Sequence, residues 1–311
     1  MTITQLEYTL AVARYGNFTL AAEKSFVTQP TLSMQVQKLE EELGVKLFNR
    51  NAKPIKTTPI GEKILTQIKV ILEETQRVED IVAMQKGVIA GPFHLGILPT
   101  VMPTLLPLFL NTFIKKYPKV DLKIEERTTE TMELLLIEGK LDAGIAATPL
   151  NHDKINERPL YYEPFVGYVP PSHGLAKSKT LSTEAIENTE MLVLEDGHCF
   201  KQHVLNLCQT KNQKHPKFDL KSGSFETLIH LADEGLGMTL LPYLQTLHMS
   251  EKAKENLRNF EAPAPAREIS LIYSKAQLKA PIINALHELI TGVVRALIQL
   301  DEVRIIAPKG T

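Results

Sequence analysis

Cysteine is scarce in this chain, and neither sign of charge is in excess. Two cysteines among 311 residues cannot form a disulfide scaffold, and their spacing of nine residues is not that of a CxxC zinc motif. The formal net charge of -1 excludes a disordered acidic protein and a general polyelectrolyte binder. Any contact with nucleic acid must therefore come from a local basic patch.

The sequence also lacks the pattern of a secretory signal and an unbroken apolar segment. Glu7 and Arg14 interrupt the first apolar stretch, which a signal peptide would not contain. The uncharged run 97–114 contains Pro99, Pro103, Pro107 and Asn111, and this predicts a strand, a turn and a buried helix instead of a membrane span. We therefore expect a cytoplasmic protein with no membrane partner.

Residues 1 to about 60 show three short helical patterns. Thr19 is predicted to cap the second helix over 20–24, and Thr28 to cap the third. The third helix carries an apolar stripe at helical spacing: Leu32, Val36, Leu39 and Leu43. Its opposite face is polar and rich in amides, which suits the second helix of a helix-turn-helix in a DNA major groove.

A basic segment and a long helix follow. Residues 46–63 hold five lysines or arginines and one acid, a local basic wing. From Thr58-Pro59 onward, apolar residues recur at the 3.5-residue period of a coiled-coil seam. The seam comprises Ile64, Ile68, Ile71, Thr75, Val78 and Val82. We expect it to pair with a second copy of the chain.

Beyond Gly91-Pro92 the pattern alternates between strand and helix, which indicates two doubly wound lobes with a ligand cleft at the strand ends. The predicted strands are 93–97, 120–126, 142–147, 166–169, 191–195, 218–222, 238–241 and 267–273. The predicted helices are 104–116, 129–138, 203–209, 225–234 and 281–300.

The N-terminal motifs resemble those of LysR-type transcriptional regulators. The motifs are Thr28-Gln29-Pro30-Thr31-Leu32-Ser33, Lys38 to Gly44, Leu47-Phe48-Asn49-Arg50 and Thr57 to Gly61. The resemblance implies an α+β multidomain fold: a winged helix-turn-helix over 1–58, a linker and dimerisation helix over 59–90, and a regulatory domain over 91–311. The regulatory domain would be a periplasmic-binding-protein-like pair of lobes, the first about 91–163 plus 267–311 and the second about 164–266.

Gly197-His198-Cys199, with Cys208 nine residues later, resembles the peroxide-sensing members of that family. The resemblance implies that Cys199 is the peroxidatic thiol and Cys208 the resolving thiol. The peroxide-binding residues it implies are Thr100, Thr129, His198 and Arg267. The DNA-binding residues it implies are Gln29, Pro30, Thr31, Ser33 and Arg50. Its implied partners are duplex DNA, hydrogen peroxide, a second copy in a dimer or tetramer, and RNA polymerase, with no metal, no cofactor and no enzymatic role.

Each of these assignments has a simpler alternative. A cysteine can be a small core residue, Thr100 and Thr129 can be N-caps, and Arg267 can be solvated or ion-paired. Cys199 is expected to begin a helix, where the thiolate is favoured. Nine residues of intact helix span about 13.5 Å, so a disulfide, which needs roughly 4.4 to 6.8 Å between Cα atoms, would require unwinding.

Two other functions remain open. One is a LysR-type regulator switched by a small-molecule effector bound between the lobes. The other is a thiol peroxidase or solute-binding protein with the same lobes, which the N-terminal helix-turn-helix and the absent signal peptide disfavour.

Overall fold

The computed structural model describes residues 1–50, 52, 54–85, 89–186, 189, 191–194, 199–208, 223–277, 279–298 and 303–308. The chain divides into two compact units, Met1–Lys86 and Gly87–Thr311.

The first unit contains three helices, a hairpin and a long helix. These are α1 (Ile3–Tyr15), α2 (Phe18–Lys24), α3 (Gln29–Leu43), β1 (Phe48–Asn49), β2 (Lys56–Thr57) and α4 (Pro59–Gln85). Thr28 caps α3 as predicted. The cap of α2 is Asn17, whose carboxamide accepts hydrogen bonds from the backbone N–H groups of Thr19 and Leu20. The prediction of Thr19 as cap was therefore wrong.

The stripe on α3 is buried over Leu32, Val36 and Leu39, but Leu43 is 38% exposed, because it is the last residue of the helix. Glu40 is buried in its place. Two helical turns after Leu32, at i+8, Glu40 lies on the same face of the helix.

The first turn of α4 packs tightly against the chain before the hairpin. A Cβ atom on Gly61 would lie 2.3 Å from the carbonyl oxygen of Leu47, so no other residue fits there without a shift of the backbone. The Thr58 hydroxyl donates to the Lys46 carbonyl and accepts from the Gly61 N–H. These contacts fix where the long helix begins.

The predicted seam on α4 divides into two parts. Ile68 is 3% exposed and packs with Ile64 and Ile71 against the helix-turn-helix core, whereas Val78 and Val82 are 62% and 46% exposed. The expectation that the whole stripe faces a second copy was wrong for its first half, since that half completes the core of its own unit. Val78 and Val82 remain candidates for pairing.

The second unit is built on a mixed sheet. Its first lobe has the order β4 (Val120–Glu126), β3 (Gly91–Ile97), β5 (Ala143–Thr148), β11 (Ala264–Ser274) and β6 (Ile155–Tyr168). The strands β3, β4 and β5 are parallel, and β11 runs antiparallel to both β5 and β6. The helices α5 (Met102–Lys116), α6 (Thr129–Ile137) and α12 (Ala280–Arg295) complete this lobe.

The second lobe shares β6 and has its own core. It contains β7 (Thr180–Leu181), α7 (Thr183–Ile186), β8 (Met191–Leu192), α8 (Cys199–Cys208), α9 (Phe225–Asp233), β9 (Met238–Pro242), α11 (Glu251–Lys254), β10 (Leu257–Phe260) and β12 (Val303–Ile305). The short helix α10 (Tyr243–Thr246) follows β9, but its Leu244 packs in the core of the first lobe. Along β6, Leu160 and Tyr161 belong to the core of the first lobe, whereas Phe165 and Tyr168 belong to that of the second. The chain therefore passes from one core to the other within β6.

Most predicted elements of the second unit are confirmed to within a few residues, but the patterns missed residues 155–165 of β6 and the short strands β7, β10 and β12. The predicted strand 218–222 lies outside the described residues. The uncharged run 97–114 forms the end of β3 and most of α5, and none of the described helices combines the length and hydropathy needed to cross a membrane.

Candidate functional site

The first turn of α3 presents the predicted DNA-binding side chains to solvent. Gln29, Pro30 and Thr31 are exposed and Ser33 is half-buried. The Thr28 hydroxyl accepts from the Thr31 N–H, so the free N–H groups of this turn are partly satisfied within the helix. The remaining ones, with the positive end of the helix dipole, suit an anionic backbone such as DNA.

Arg50 follows β1 and faces the same helix. Its guanidinium donates to Glu40 Oε2 at 3.2 Å and to Ser33 Oγ at 3.4 Å, and it lies 4.9 Å from the ring centroid of Phe18. The side chain is 37% exposed, which leaves part of it accessible to a phosphate. Arg50 thus connects the wing to the recognition helix.

Glu40, which accepts the hydrogen bond from Arg50, was not predicted from the sequence. Its side chain is fully buried, and Oε1 accepts from the N–H groups of Leu47 and Phe48 at 2.8 and 3.3 Å. Lys46 donates to Oε2. The i+4 spacing from Val36 to Glu40 places this acid on the apolar face, and that spacing was the available signal.

In the second unit, Arg267 and Thr100 are brought together. Arg267 is 1% exposed; its Nη1 donates to the Thr100 hydroxyl and its Nη2 to the Thr100 carbonyl, both at 3.1 Å. The other partner is Glu163, also 1% exposed, which accepts from Nε at 3.0 Å and Nη2 at 2.8 Å. Arg267 is therefore a buried, ion-paired cation and not a solvated one.

Glu163 was not predicted, although it is essential to this arrangement. It lies opposite Arg267 in the β6–β11 register, and its second oxygen accepts from the Leu244 N–H at 3.0 Å. Cross-strand pairing that brings together residues 104 positions apart leaves no local sequence signal. The carboxylate neutralises the guanidinium and ties α10 to the sheet.

The ring of Phe200 lies over the same guanidinium. The Arg267 Cζ is 5.2 Å from its centroid, and the ring also makes edge contacts with Phe165 at 5.4 Å and Phe225 at 4.9 Å. Phe200 is the second residue of α8, directly after Cys199. The helix that begins at Cys199 is thus packed onto Arg267.

Thr129 is not an N-cap. Thr128 caps α6 through its hydroxyl, and the Thr129 hydroxyl is buried with no hydrogen-bond partner among the described residues. Thr100 is not a cap either, because the cap position of α5 is Val101, without a side-chain bond. Since β3 and β4 are parallel neighbours, both threonines follow the carboxyl ends of adjacent strands, where small polar ligands bind.

Tyr161 is a second buried hydroxyl in this region with no partner in the described part of the chain. Burial raises its pKa well above the ordinary value, and the nearby Glu163 carboxylate adds to that shift while Arg267 opposes it. The phenol therefore stays protonated.

The remaining predicted residues are only partly described. His198 lies outside the described residues, and of Cys199 and Cys208 only the backbone is described. That backbone is one α-helix whose first and last residues are the two cysteines, as the sequence analysis assumed.

Comparison with protein families accounts for nearly the whole chain. Residues 3–62 match the bacterial regulatory helix-turn-helix of the lysR family, and residues 86–295 match the LysR substrate binding domain. The chain belongs to the LysR family. The first unit contains the helix-turn-helix domain of a LysR-family regulator, and the second unit contains its substrate binding domain.

Similar LysR-family proteins carry consistent names. The chain is 32% identical over 275 residues to the DNA-binding transcriptional dual regulator OxyR of Escherichia coli K12, covering 88% of this chain and 89% of that one. It is 31% identical over 307 residues to a probable hydrogen peroxide-inducible genes activator of Mycobacterium leprae, covering 98% and 97%.

Solved structures of OxyR proteins are similar to this chain over nearly its whole length. A cysteine mutant of OxyR from Corynebacterium glutamicum matches with a TM-score of 0.72 and 28% identity over 98% of both chains. A peroxide-bound cysteine-to-serine mutant from the same organism matches with a TM-score of 0.66 and 27% identity, over 97% of this chain and 98% of that one.

Proposed function

We propose that this LysR-family chain is a transcription regulator that binds operator DNA and responds to hydrogen peroxide through Cys199 and Cys208. Gln29, Pro30, Thr31 and Ser33 would meet the groove, and Arg50 would reach a phosphate or the minor groove. It would act in the bacterial cytosol as a dimer or tetramer and contact RNA polymerase. A relative named as a probable hydrogen peroxide-inducible genes activator and one named as a DNA-binding transcriptional dual regulator support this assignment.

The observation that carries the proposal is the packing around Arg267. Three features meet there: the Thr100 hydroxyl, the Arg267 guanidinium and the first turn of the helix that starts at Cys199. The Thr129 hydroxyl, for which the described part of the chain offers no hydrogen-bond partner, follows the neighbouring strand. Neutral donors and acceptors beside a cation suit a small molecule such as hydrogen peroxide better than a large effector.

The chemistry that these residues support is a two-step oxidation. The Cys199 thiolate attacks one peroxide oxygen, the O–O bond breaks, and the leaving hydroxide takes a proton to become water. The sulfenic acid then condenses with the Cys208 thiol to form the disulfide and release a second water. The start of α8 would favour the thiolate.

Closure of the disulfide would disturb the core of the second lobe. Because the cysteines terminate α8 about 13.5 Å apart, they can meet only if the helix unwinds. Phe200, Val204 and Leu207 are buried in that lobe, so unwinding would withdraw apolar side chains from its core. Oxidation would therefore change the conformation of the second lobe, and this change would alter DNA binding.

The test uses the full-length chain, with free thiols counted by mass spectrometry before and after stoichiometric peroxide. Wild type should lose both thiols and gain amide exchange across α8. Cys208→Ser should form a sulfenic acid at Cys199, trapped by dimedone, and Cys199→Ser should not respond. Thr129→Val should slow sulfenic acid formation, whereas Thr131→Val, an exposed position on the same helix, should not.

Retention of both thiols in the wild type would contradict the redox proposal. The function would then be that of a LysR-type regulator switched by an unreactive effector in the cleft, and DNA binding would be unaffected by peroxide.

A further inference from the structure

Phe26 occupies the turn between α2 and α3 in a backbone conformation that phenylalanine rarely adopts. Its φ is +55°, in the left-handed region that favours glycine and asparagine. The residue is also 96% exposed. The first feature disfavours the folded unit through backbone strain, and the second means that burial of the ring contributes almost nothing to its stability.

The turn requires the conformation but not the phenylalanine. The Phe26 N–H donates to the Glu23 carbonyl at 3.2 Å and the Val27 N–H to the Ala22 carbonyl at 3.0 Å, which turns the chain so that Val27 packs on the core. Glycine or asparagine would make the same backbone bonds with less strain. Its ring makes no aromatic or cation contact with the described residues, so no contact within the unit offsets the cost.

The position of Phe26 indicates what the ring serves. It lies two residues before Thr28, the cap of α3, and the exposed residues that follow are those of the first turn of the recognition helix. This helix terminus is the part of a helix-turn-helix that reaches base edges. An exposed ring at this point borders the surface that faces DNA.

We propose that Phe26 makes an apolar contact with duplex DNA, either with a thymine methyl group or with deoxyribose carbons next to the recognition helix. The proposal rests on the proposed DNA binding. Thymine is the base whose major-groove edge offers a methyl group to an aromatic side chain. The contact would add sequence preference or affinity without adding charge.

The test measures binding of full-length variants to a duplex that the wild-type chain selects from a random-sequence pool. Phe26→Ala and Phe26→Asn should each lose about five- to tenfold in affinity, the equivalent of burying part of one ring. The salt dependence should be unchanged, because no phosphate contact is lost. Phe26→Tyr, which keeps the ring, should bind like wild type.

Thermal unfolding separates this contact from a defect in folding. Phe26→Asn should unfold a few degrees higher than wild type, because asparagine tolerates the left-handed conformation. Phe26→Ala keeps the strain and should not show that gain. A variant that is more stable yet binds DNA more weakly cannot owe its weaker binding to misfolding.

Two further measurements locate the contact. Replacing thymines one at a time by deoxyuridine removes single methyl groups. If Phe26 contacts one of these methyl groups, its removal should lower the DNA affinity of the wild type but not that of Phe26→Ala. An effect of Phe26→Ala with no sensitive thymine assigns the contact to deoxyribose. Since the chain has no tryptophan, Phe26→Trp introduces a single indole, whose emission should shift to the blue on binding.

The experiment distinguishes failure of the proposed DNA-binding function from failure of the Phe26 contact alone. If the wild type selects no duplex, the proposed function fails. If the wild type binds but the alanine and asparagine variants bind equally well, this inference alone is overturned. It is also overturned if those variants reduce transcription with DNA affinity intact, since the ring would then meet a protein.

Discussion

The buried ion pair of Arg267 and Glu163 allows a stability prediction with a definite magnitude. Arg267→Met keeps an unbranched side chain, shorter than that of arginine, but leaves the Glu163 carboxylate, which is 1% exposed, without its cation. Removing one partner of such a pair costs about 3–5 kcal/mol. The Thr100 hydroxyl and carbonyl lose their donors as well, so we expect a loss of unfolding free energy within this range.

The double variant Glu163→Met with Arg267→Met is the matched control. It removes both charges, so part of the lost stability should return. A residual deficit of about 1–3 kcal/mol should remain, because the buried Leu244 N–H loses its acceptor.

The assay is urea unfolding of the full-length chain under reducing conditions, followed by circular dichroism. A loss below about 1 kcal/mol for Arg267→Met, the size of an exposed pair, would refute the reasoning. So would a double variant no more stable than the single one, because the unpaired charge would then not be the cause.

Three further predictions follow from other parts of the molecule. Val78→Lys with Val82→Lys should lower the oligomeric mass measured by light scattering and leave the folding of the first unit intact, whereas Ile68→Lys should unfold that unit; an unchanged mass for the valine variant would place self-association elsewhere. Arg50→Ala should weaken binding to all DNA sequences and reduce the salt slope by about one phosphate contact; an unchanged slope in filter binding would contradict the wing assignment. Because the pKa of Tyr161 is raised in the folded chain, the stability that it contributes is present below about pH 10 and is lost as the pH rises further. Tyr161→Phe should flatten this alkaline decline in urea unfolding; a decline as steep as that of wild type would show that another group causes it.

Local patterns predicted those elements whose contacts are close in sequence. The cap at Thr28, the start of α4 at Pro59 and the succession of β3, α5, β4 and α6 depend on spacings of a few residues, and all of them are found. The patterns failed where a second polar residue competed for a capping position or where a helix ended. Asn17 caps α2 instead of Thr19 because its carboxamide oxygen accepts from two backbone N–H groups at the start of the helix.

The sequence motifs predicted which residues form the candidate site but not how those residues contact one another. Motif resemblance selected Thr100, Thr129 and Arg267, yet it did not distinguish a capping threonine from a ligand or a solvated arginine from a buried one. Glu163 and Phe200 escaped prediction because their roles depend on partners across a sheet or between lobes. Glu40 escaped prediction because its partners lie six to ten residues away, beyond the end of its own helix.

The sequence by itself determined the division into a helix-turn-helix unit and two α/β lobes, the polar face of α3 and the helix joining Cys199 to Cys208. These follow from periodicity and capping, which act over one or two turns of chain. Only the tertiary structure decided that Ile68 belongs to its own core, that Glu40 holds the wing, and that Glu163 and Phe200 enclose Arg267. Desolvation and pairing energies depend on which distant groups come into contact, and that information becomes available only once the chain has folded.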